Sequence, residues 1–318
     1  MARNTNASTL IVGKSPGTVE NASRLYIADC KSRNLSNATV SLTVIILKGL
    51  CDYLEGKPLA DVTSHDLRKF FIKKATSTSS ATAARYYECL HAFFKFLHKE
   101  GFLHSSPMTT VTKPKAPTPL IEPLAQEQIE AMVNACGTGF AGIRDRLILL
   151  VLIDCGLRAS ELCDLTMSDI DWENCIFLIR HGKGDKARRV PFGSVVASTM
   201  RQYLARRAEV DTPYLLVTVY GERVDRHRLR SIVKAVAAKA GITHKHMCTH
   251  LLRHTFAVSY LRAGGDVFSL QKVLGHSTLT MTRRYSELAD SDIQEKHRLY
   301  SPGDRLKLKE KAGRRRLR

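Results

Sequence analysis

Apolar side chains recur at helical spacing from residue 18 to residue 105, between short breaks of polar residues, glycine and proline. The spacing and the cap signals predict four helices, which begin at Thr18, at Ser36, at Thr63 or Ser64, and after the Ser/Thr-rich loop at 76–80. Residues 58–63 predict an extended link, and Gly101 ends the fourth helix as a C-cap. We therefore expect a small all-α domain over 18–105, after a flexible lead at 1–17.

Proline is concentrated between the two halves of the chain. The prolines at 107, 114, 117 and 119 lie in one 13-residue stretch with two lysines among them. Such a density of proline resists compaction and is typical of a semi-rigid linker. The sequence therefore predicts a domain boundary at 106–119.

The second half of the chain predicts further helices and one β-hairpin. The run CIFLI at 175–179 and the glycine-rich stretch to Phe192 are typical of two antiparallel strands joined by a turn. The helices are predicted at 124–136, 143–155, 161–165, 194–208, 226–240, 250–263, 266–274, 278–289 and 290–299. These elements indicate a second domain over 120–300 with a basic tail at 301–318. The predicted fold class is mainly α with a small antiparallel β-sheet.

Charge narrows the class of partner. The 318 residues carry a formal net charge of +19 and a pI of about 9.7, which favours a polyanion such as nucleic acid. A membrane surface is the other candidate, but the longest apolar run, 147–153, is bounded by charged residues and predicts a core helix. The N-terminus has no apolar signal region, so we expect a cytoplasmic protein that contacts no membrane.

Three weaker patterns were weighed for cofactor or metal chemistry. The eight cysteines form no Cys-x-x-Cys pair, so free thiols are expected. His244, His246, Cys248, His250 and His254 form a cluster in which the spacing of His250 and His254 would suit zinc. Cys248 or His246 would have to bind the same ion, and no acidic residue lies near to act as a base. The stretch GTGFAG at 137–142 follows a helical segment rather than a strand, and no GxxxxGK[ST] is present. We expect neither a cofactor nor a metal.

Single basic residues before position 200 are ambiguous. Arg158 lies where a long apolar helix ends, and its simplest role is an ion pair with Glu161 three residues on. Lys183, between two glycines, is either an exposed turn lysine or a side chain that can approach a polyanion closely. Its neighbours suit a solvated basic edge or a row of phosphate contacts; they are Lys186, Arg188 and Arg189.

The segment 250–285 has the strongest chemical pattern. His250 and Arg253 are three residues apart and share a helix face, and His276 and Tyr285 follow. A tyrosine hydroxyl has a pKa of about 10 and is a poor nucleophile without help. Arginines and histidines that converge on one point would bind a phosphate, because they neutralise the charge on its oxygens. The set therefore predicts attack by a tyrosine on a phosphodiester.

Four segments together carry a resemblance to a known family. GLRASEL, HGKGDKARRVP, HLLRHTFA and LGHSTLTMTRRY resemble the catalytic domain of the tyrosine recombinases, the lambda-integrase family, and most of all its Xer and transposon or phage integrase branch. The resemblance covers about 280 residues, since 18–105 is similar to the helical, SAM-like core-binding domain of that family. It implies catalytic roles for Arg158, Lys183, His250, Arg253, His276 and Tyr285.

The resemblance also implies a function. A member of this family would cleave double-stranded DNA at specific sites through a 3′-phosphotyrosyl link and recombine it through a Holliday junction, with neither ATP nor metal. We expect a homotetramer on DNA and a monomer or weak oligomer when free. The biological role would be the movement of a mobile element or the resolution of chromosome or plasmid dimers. Two alternatives stay open, namely a monomeric type IB topoisomerase and a catalytically silent DNA-binding protein.

Overall fold

The structure is a computed structural model, which describes residues 16–116, 121–180, 187–207, 209–276, 278, 282, 285, 297–298 and 301–304. The chain divides into two compact units, 1–120 and 121–318. Each unit has a hydrophobic core of its own. The two units are described separately.

The first unit is built of four helices, as the sequence predicts: α1 Val19–Ser32, α2 Asn37–Leu54, α3 Ser64–Ser77 and α4 Ser80–Lys99. Each begins at a serine or threonine whose hydroxyl accepts a backbone N–H of the first turn, which satisfies a donor that the helix itself cannot. Gly101 follows α4 with a φ of +77°. The link at 58–63 is not wholly extended, because Leu59–Asp61 forms a 3₁₀ turn.

Aromatic side chains fill the core of this unit, with Phe70, Phe93 and Phe94 almost completely buried. The start of the predicted linker packs on the same core, through Met108 and Val111, which are 1% and 6% exposed. Side chains of α3 and α4 also donate to its backbone carbonyls, as Tyr87 does to Val111 at 3.0 Å. Proline therefore disfavours regular structure in this stretch without separating 106–116 from the first unit.

Helix α2 is the one described helix whose length and apolar composition would allow it to cross a membrane. One side of it carries Ile46, Leu47 and Leu50, which are buried in the core of the first unit. The other side exposes Leu42 and Ile45. The sequence predicts this helix but does not mark it as a candidate span, because polar residues interrupt its apolar ones and the longest apolar run lies at 147–153.

The second unit combines seven helices with a three-stranded sheet over its described residues. The helices are α5 Gln126–Asn134, α6 Phe140–Asp154, α7 Ala159–Asp164, α8 Ser194–Arg206, α9 Arg226–Lys239, α10 Thr249–Arg262 and α11 Val267–Leu274. The strands are β1 Ile170–Asp171, β2 Ile176–Ile179 and β3 Arg188–Pro191. They pair antiparallel in the order β1-β2-β3, with Phe177 opposite Val190.

Helix α6 lies at the centre of this unit, since it packs on α5, α8, α9 and α10. Its residues at 147–149, 151 and 152 are fully buried, as the apolar run predicts. Because apolar residues occur all round α6, neighbours can pack on every side of it. The chain leaves α6 at Gly156, and this exit places Arg158 at the start of α7.

The fold class predicted from the sequence, mainly α with a small antiparallel sheet, is confirmed. Two features were missed: the short strand β1, and backbone bridges at Thr166–Tyr214 and Val217–Arg223 that order the segment before α9. Residues 1–15 of the predicted lead, the predicted turn at 181–186 and residues 305–318 of the predicted tail lie outside the described residues. The same holds for most of the two helices predicted at 278–289 and 290–299.

Candidate active site

Arg253 lies at the junction of three helices. It projects from the second turn of α10, is 3% exposed, and donates to the Gly156 carbonyl at 2.5 Å and to the Leu274 carbonyl at 2.8 Å. These carbonyls close the ends of α6 and α11, where the backbone lacks partners within its own helix. A guanidinium suits such a place, because the carboxyl end of a helix carries partial negative charge.

Gly156 allows this junction to form. Its φ is +59°, and a Cβ added there would lie 2.3 Å from Cδ1 of Phe256 on α10. Any side chain would therefore be strained by its backbone and would overlap the aromatic ring. The close packing of α6 on α10 thus depends on a glycine two residues before Arg158.

Arg158 is anchored by a carboxylate and by α11. Its Nη1 donates to Oε1 of Glu161 at 2.7 Å, its backbone N–H donates to Oε2 at 2.7 Å, and its Nη2 donates to the Gly275 carbonyl at 3.3 Å. Glu161 is 2% exposed at its side chain, whereas Arg158 is 25% exposed. The ion pair expected from the sequence therefore exists, and it leaves part of the Arg158 guanidinium facing solvent.

His276 is buried directly after Gly275, the left-handed residue that ends α11. Nη2 of Arg253 lies 3.1 Å from Nε2 of His276, and Nδ1 lies 3.0 Å from the Thr282 hydroxyl. Because a guanidinium can only donate, Nε2 accepts this bond and we assign the proton to Nδ1. Burial, followed by the charges of Arg253 and Arg158, lowers the pKa of His276 to about 4. The ring is therefore neutral at pH 7.

Tyr285 and His250 complete the group. The Tyr285 ring stacks on His276 with 6.2 Å between centroids and 17° between planes, and it lies 5.3 Å from the ring of His254. His250 is accessible at the start of α10, one turn before Arg253. Partial desolvation, and then the charge of Arg253, lower the pKa of His250.

Five of the six residues expected in the site thus lie around the carboxyl end of α11. They are Arg158, His250, Arg253, His276 and Tyr285. The sixth, Lys183, lies outside the described residues. Sequence inspection gave Glu161 only a surface ion-pair role and gave Thr282 none. A carboxylate three residues after an arginine was the one available signal for Glu161.

Positive charge exceeds negative charge in this group. Arg158 and Arg188 donate to the carboxylate of Glu161, and Arg253 is near enough for the charge of Glu161 to influence it. Burial, and then repulsion from Arg158, lowers the pKa of Arg253 to about 10, so it stays protonated at neutral pH. An anion placed here would be attracted by all three guanidiniums, and a tetrahedral phosphate can accept from several at once.

The histidines of the alternative zinc cluster have other contacts in this structure. His254 donates through Nε2 to the Ile121 carbonyl at 2.7 Å and contacts the Tyr285 ring. His244 accepts the backbone N–H of His246 at 3.1 Å. Within the described part of the chain, no three metal-ligating side chains are grouped as a metal ion requires.

Comparison with known proteins identifies the family. The profile of the phage integrase family matches residues 122–292. Tyrosine recombinase XerD of Proteus mirabilis is 32% identical over 279 residues, which cover 85% of this chain and 89% of that protein. Tyrosine recombinase XerA of Pyrococcus furiosus is 33% identical over 239 residues, or 73% of this chain and 79% of that protein. The chain belongs to the phage integrase family of tyrosine recombinases.

Solved structures show the same fold at lower identity. A Tn1549 transposon integrase in complex with a circular intermediate DNA superposes with a TM-score of 0.74 and is 21% identical, covering 85% of this recombinase and 94% of that chain. A lambda integrase dimer bound to a COC′ core site gives 0.72 at 18% identity, covering 83% and 97%. The resemblance recognised in the four sequence segments is confirmed, and the protein is a tyrosine-type site-specific recombinase.

Proposed function

We propose that this recombinase cleaves and rejoins double-stranded DNA at specific sites through a 3′-phosphotyrosyl bond to Tyr285. The observation that carries the proposal is the group at the carboxyl end of α11, where a tyrosine ring stacks on a neutral histidine beside two guanidiniums. The excess of positive charge favours an anion, and a tyrosine next to it favours attack on phosphorus. A phosphodiester satisfies both requirements.

In the proposed mechanism, Arg158 and Arg253 bind the two non-bridging oxygens and stabilise the charge that develops on them. The Tyr285 oxygen forms a bond to phosphorus, the bond to the 5′ oxygen breaks, and Lys183 gives that oxygen a proton. His250, whose lowered pKa keeps it neutral, accepts the tyrosine proton or hydrogen-bonds the phosphate. His276 orients Arg253 in the present arrangement and would need its other tautomer to donate to a phosphate through Nε2.

The covalent link keeps the energy of the broken phosphodiester. Attack by a 5′-hydroxyl on the phosphotyrosine reverses the first step, so strand exchange requires neither ATP nor a metal. If the 5′-hydroxyl comes from a partner duplex, the product is a Holliday junction. Resealing the original strand instead would give the topoisomerase outcome.

Double-stranded DNA is the proposed partner. Lys and Arg outnumber Asp and Glu in both units of the chain, so both can attract phosphates. The Tn1549 and lambda integrases of similar fold were solved in complex with DNA. We propose that two units of each protomer bind one recombination site and that the system serves a mobile element or the resolution of chromosome or plasmid dimers.

We further propose that the protein is a homotetramer on DNA and a monomer or weak oligomer when free. The segment at 291–299 would dock on a neighbouring protomer. A protein truncated after Ala289 should then bind a single site almost normally and lose synapsis and strand exchange, measured by gel shift and recombination assays. Full recombination by the truncated protein would contradict the docking role of 291–299.

The direct test of the function is covalent attachment. Wild-type protein incubated with nicked duplexes from the DNA flanking its gene should form a denaturation-resistant 3′ adduct, and peptide mapping should place it on Tyr285. Tyr285→Phe should bind the same duplex and form no adduct. Tyr260→Phe is the control and should react normally. An adduct on Tyr260 or Tyr300 would show that the nucleophile is wrongly assigned.

A further inference from the structure

Arg188 in β3 is buried against the active-site group. Its side chain is 10% exposed, although it lies in a short strand next to a second arginine. Both terminal nitrogens donate to Glu161, Nη1 to Oε1 at 2.8 Å and Nη2 to Oε2 at 2.7 Å, and Nε donates to the Val273 carbonyl at 2.8 Å. Arg189, the next residue, is 64% exposed and faces Asp171 at 3.4 Å.

Three arginines share the carboxyl end of α11. The consecutive carbonyls of residues 273, 274 and 275 accept from Arg188, Arg253 and Arg158 respectively. These carbonyls lie at the end of the helix, where no later N–H group of the same helix can donate to them. The helix end that carries His276 is therefore fixed by three guanidiniums from three different elements. Arg188 is as much a part of this arrangement as the two arginines in the proposed mechanism.

Arg188 and Arg158 also share one carboxylate. Burial alone would raise the pKa of Glu161, but bonds from Arg188 and from the Arg158 backbone and side chain lower it to about 2. Glu161 is therefore ionised at neutral pH, and its single negative charge is divided between two guanidiniums. Arg158, Arg188 and Glu161 together carry one net positive charge, which a bound phosphate can reach through the partly exposed Arg158.

We propose that Arg188 is a positioning residue for Arg158. Because Arg188 pairs with the Glu161 carboxylate and holds β3 to the end of α11, the positive charge of Arg158 stays available to the phosphate and its side chain stays correctly oriented. The proposal rests on the function proposed above. Without Arg188, the buried carboxylate would pair with Arg158 alone and largely neutralise it. Arg158 would then contribute less to the stabilisation of the transition state.

This proposal predicts suppression of one substitution by another. Arg188→Gln should lower the rate of adduct formation at saturating DNA by about 100-fold, the scale for loss of one charge-stabilising group, with little change in duplex affinity. Adding Glu161→Gln removes the unbalanced carboxylate and should recover at least about tenfold of that rate. Arg189→Gln is the matched control, one residue away on the exposed face, and should react at the wild-type rate.

The competing explanation is that Arg188 acts through the hairpin of Lys183, five residues earlier. A substrate with sulfur at the 5′ bridging position has a leaving thiolate, with a pKa of about 8.5, that needs no proton. It should restore much of the rate of Lys183→Ala. It should not restore Arg188→Gln, because Arg158 acts on the non-bridging oxygens. Rescue of Arg188→Gln by sulfur would overturn the proposal and assign Arg188 to the hairpin.

A purely structural ion pair would behave differently again. In that case the Arg188→Gln, Glu161→Gln double variant would melt at a higher temperature than Arg188→Gln but react no faster, and the proposal would be wrong. Thermal unfolding of each variant is therefore measured beside the rates. If Arg188→Gln is unfolded at the assay temperature, Arg188→Lys replaces it. Lysine can contact Glu161 but cannot bridge to Val273, so an intermediate rate is expected and a wild-type rate would contradict the proposal.

One measurement separates this inference from the proposed function. If wild-type protein forms no adduct on any duplex, the proposed function fails. The influence of Arg188 on the site is still read from an NMR titration of His276, whose low pKa owes part of its depression to Arg188. Arg188→Gln should raise that pKa from about 4 toward the ordinary value, and Arg189→Gln should not. No change with Arg188→Gln would overturn the inference independently of catalysis.

Discussion

At the scale of single residues, the active site is defined by which partner each charged group has. Arg253 donates to backbone carbonyls and to His276, and Arg158 donates to Glu161 and to the end of α11. These contacts fix planar guanidiniums in two orientations before any substrate binds. Preorganised donors of this kind stabilise a transition state without reorganisation at the moment of reaction. Lysine, with one nitrogen, could not make the same set of bonds.

The neutral state of His276 leads to a pH prediction. Its pKa is about 4 in the folded protein and about 6.5 in an unfolded chain, so the unfolded chain binds more protons between these values. Stability should therefore fall as the pH is lowered from 6.5 to 4, by about 3 kcal/mol at most for this group. Denaturant unfolding at pH 7 and pH 5 would measure the fall. His276→Gln should show a smaller fall, and an equal one would contradict the neutral, buried assignment.

Which residues belong to the site could be inferred from the sequence, whereas their partners could not. Residue type and the family motifs predicted Arg158, His250, Arg253, His276 and Tyr285 as one group, and the structure brings them together. The catalytic roles of these five residues and of Lys183 stay predictions. The burial of Arg188 and the exposure of Arg189 depend on which face of β3 packs against α11. Strand alternation places the two on opposite faces, but only the packed fold decides which face is inside.

At the scale of elements, the site exists because helix ends meet. The carboxyl ends of α6 and α11 and the beginnings of α7 and α10 lie together, as the contacts of Arg253 and Arg158 require. Helix ends carry unpaired backbone groups and partial charges, so they are suited to hold charged side chains. The exit from α6 passes through Gly156, whose φ of +59° would strain any other residue.

Substitution of Gly156 tests this junction. Gly156→Ala should destabilise the second unit by the strain of a left-handed alanine, about 1–2 kcal/mol, plus the displacement of Phe256, about 1–3 kcal/mol. Gly241→Ala is the control, since Gly241 has a φ of +69° and open space around its Cα. It should show the strain alone. Thermal or denaturant unfolding measures both, and equal losses would mean that α10 yields easily to the added methyl.

The helices were predictable because their signals are local. Serine and threonine caps and apolar periodicity placed α1 to α4 within one or two residues, and the run at 175–179 placed β2. The segment before α9 gave no signal, because it is ordered by single bridges to distant residues such as Thr166. Short pairings of that kind have no periodicity in the sequence, and they form only when both partners are already positioned.

At the scale of the whole molecule, the chain has two units with separate cores, and each unit carries more basic than acidic residues. This excess is visible in the composition, and it predicted a polyanionic partner. The proline-rich stretch predicted a boundary near the division at 120–121, although 106–116 packs on the first unit. Sequence alone could not show that packing, because Met108 and Val111 are isolated apolar residues in a stretch without periodicity.

The excess of charge makes salt the decisive variable for DNA binding. A protein that neutralises Z phosphates displaces their counterions, and the logarithm of its affinity falls with the logarithm of salt concentration at a slope of about −0.9Z. With six to ten such contacts, affinity should fall by about 10³ to 10⁵ between 50 and 200 mM salt. Fluorescence anisotropy with a labelled duplex from the DNA flanking the gene would measure the slope for the whole chain.

The Tyr285→Phe variant is the appropriate protein for this titration. It cannot form the proposed covalent bond, so the measured affinity is an equilibrium value and the slope reports ionic contacts alone. The same titration with residues 16–116 alone should give a shallower slope, since the basic residues of the second unit are then missing. An equal slope for the two proteins would mean that the second unit makes few phosphate contacts. Because Arg158 and Arg253 belong to that unit, this result would also contradict their proposed binding of the phosphate.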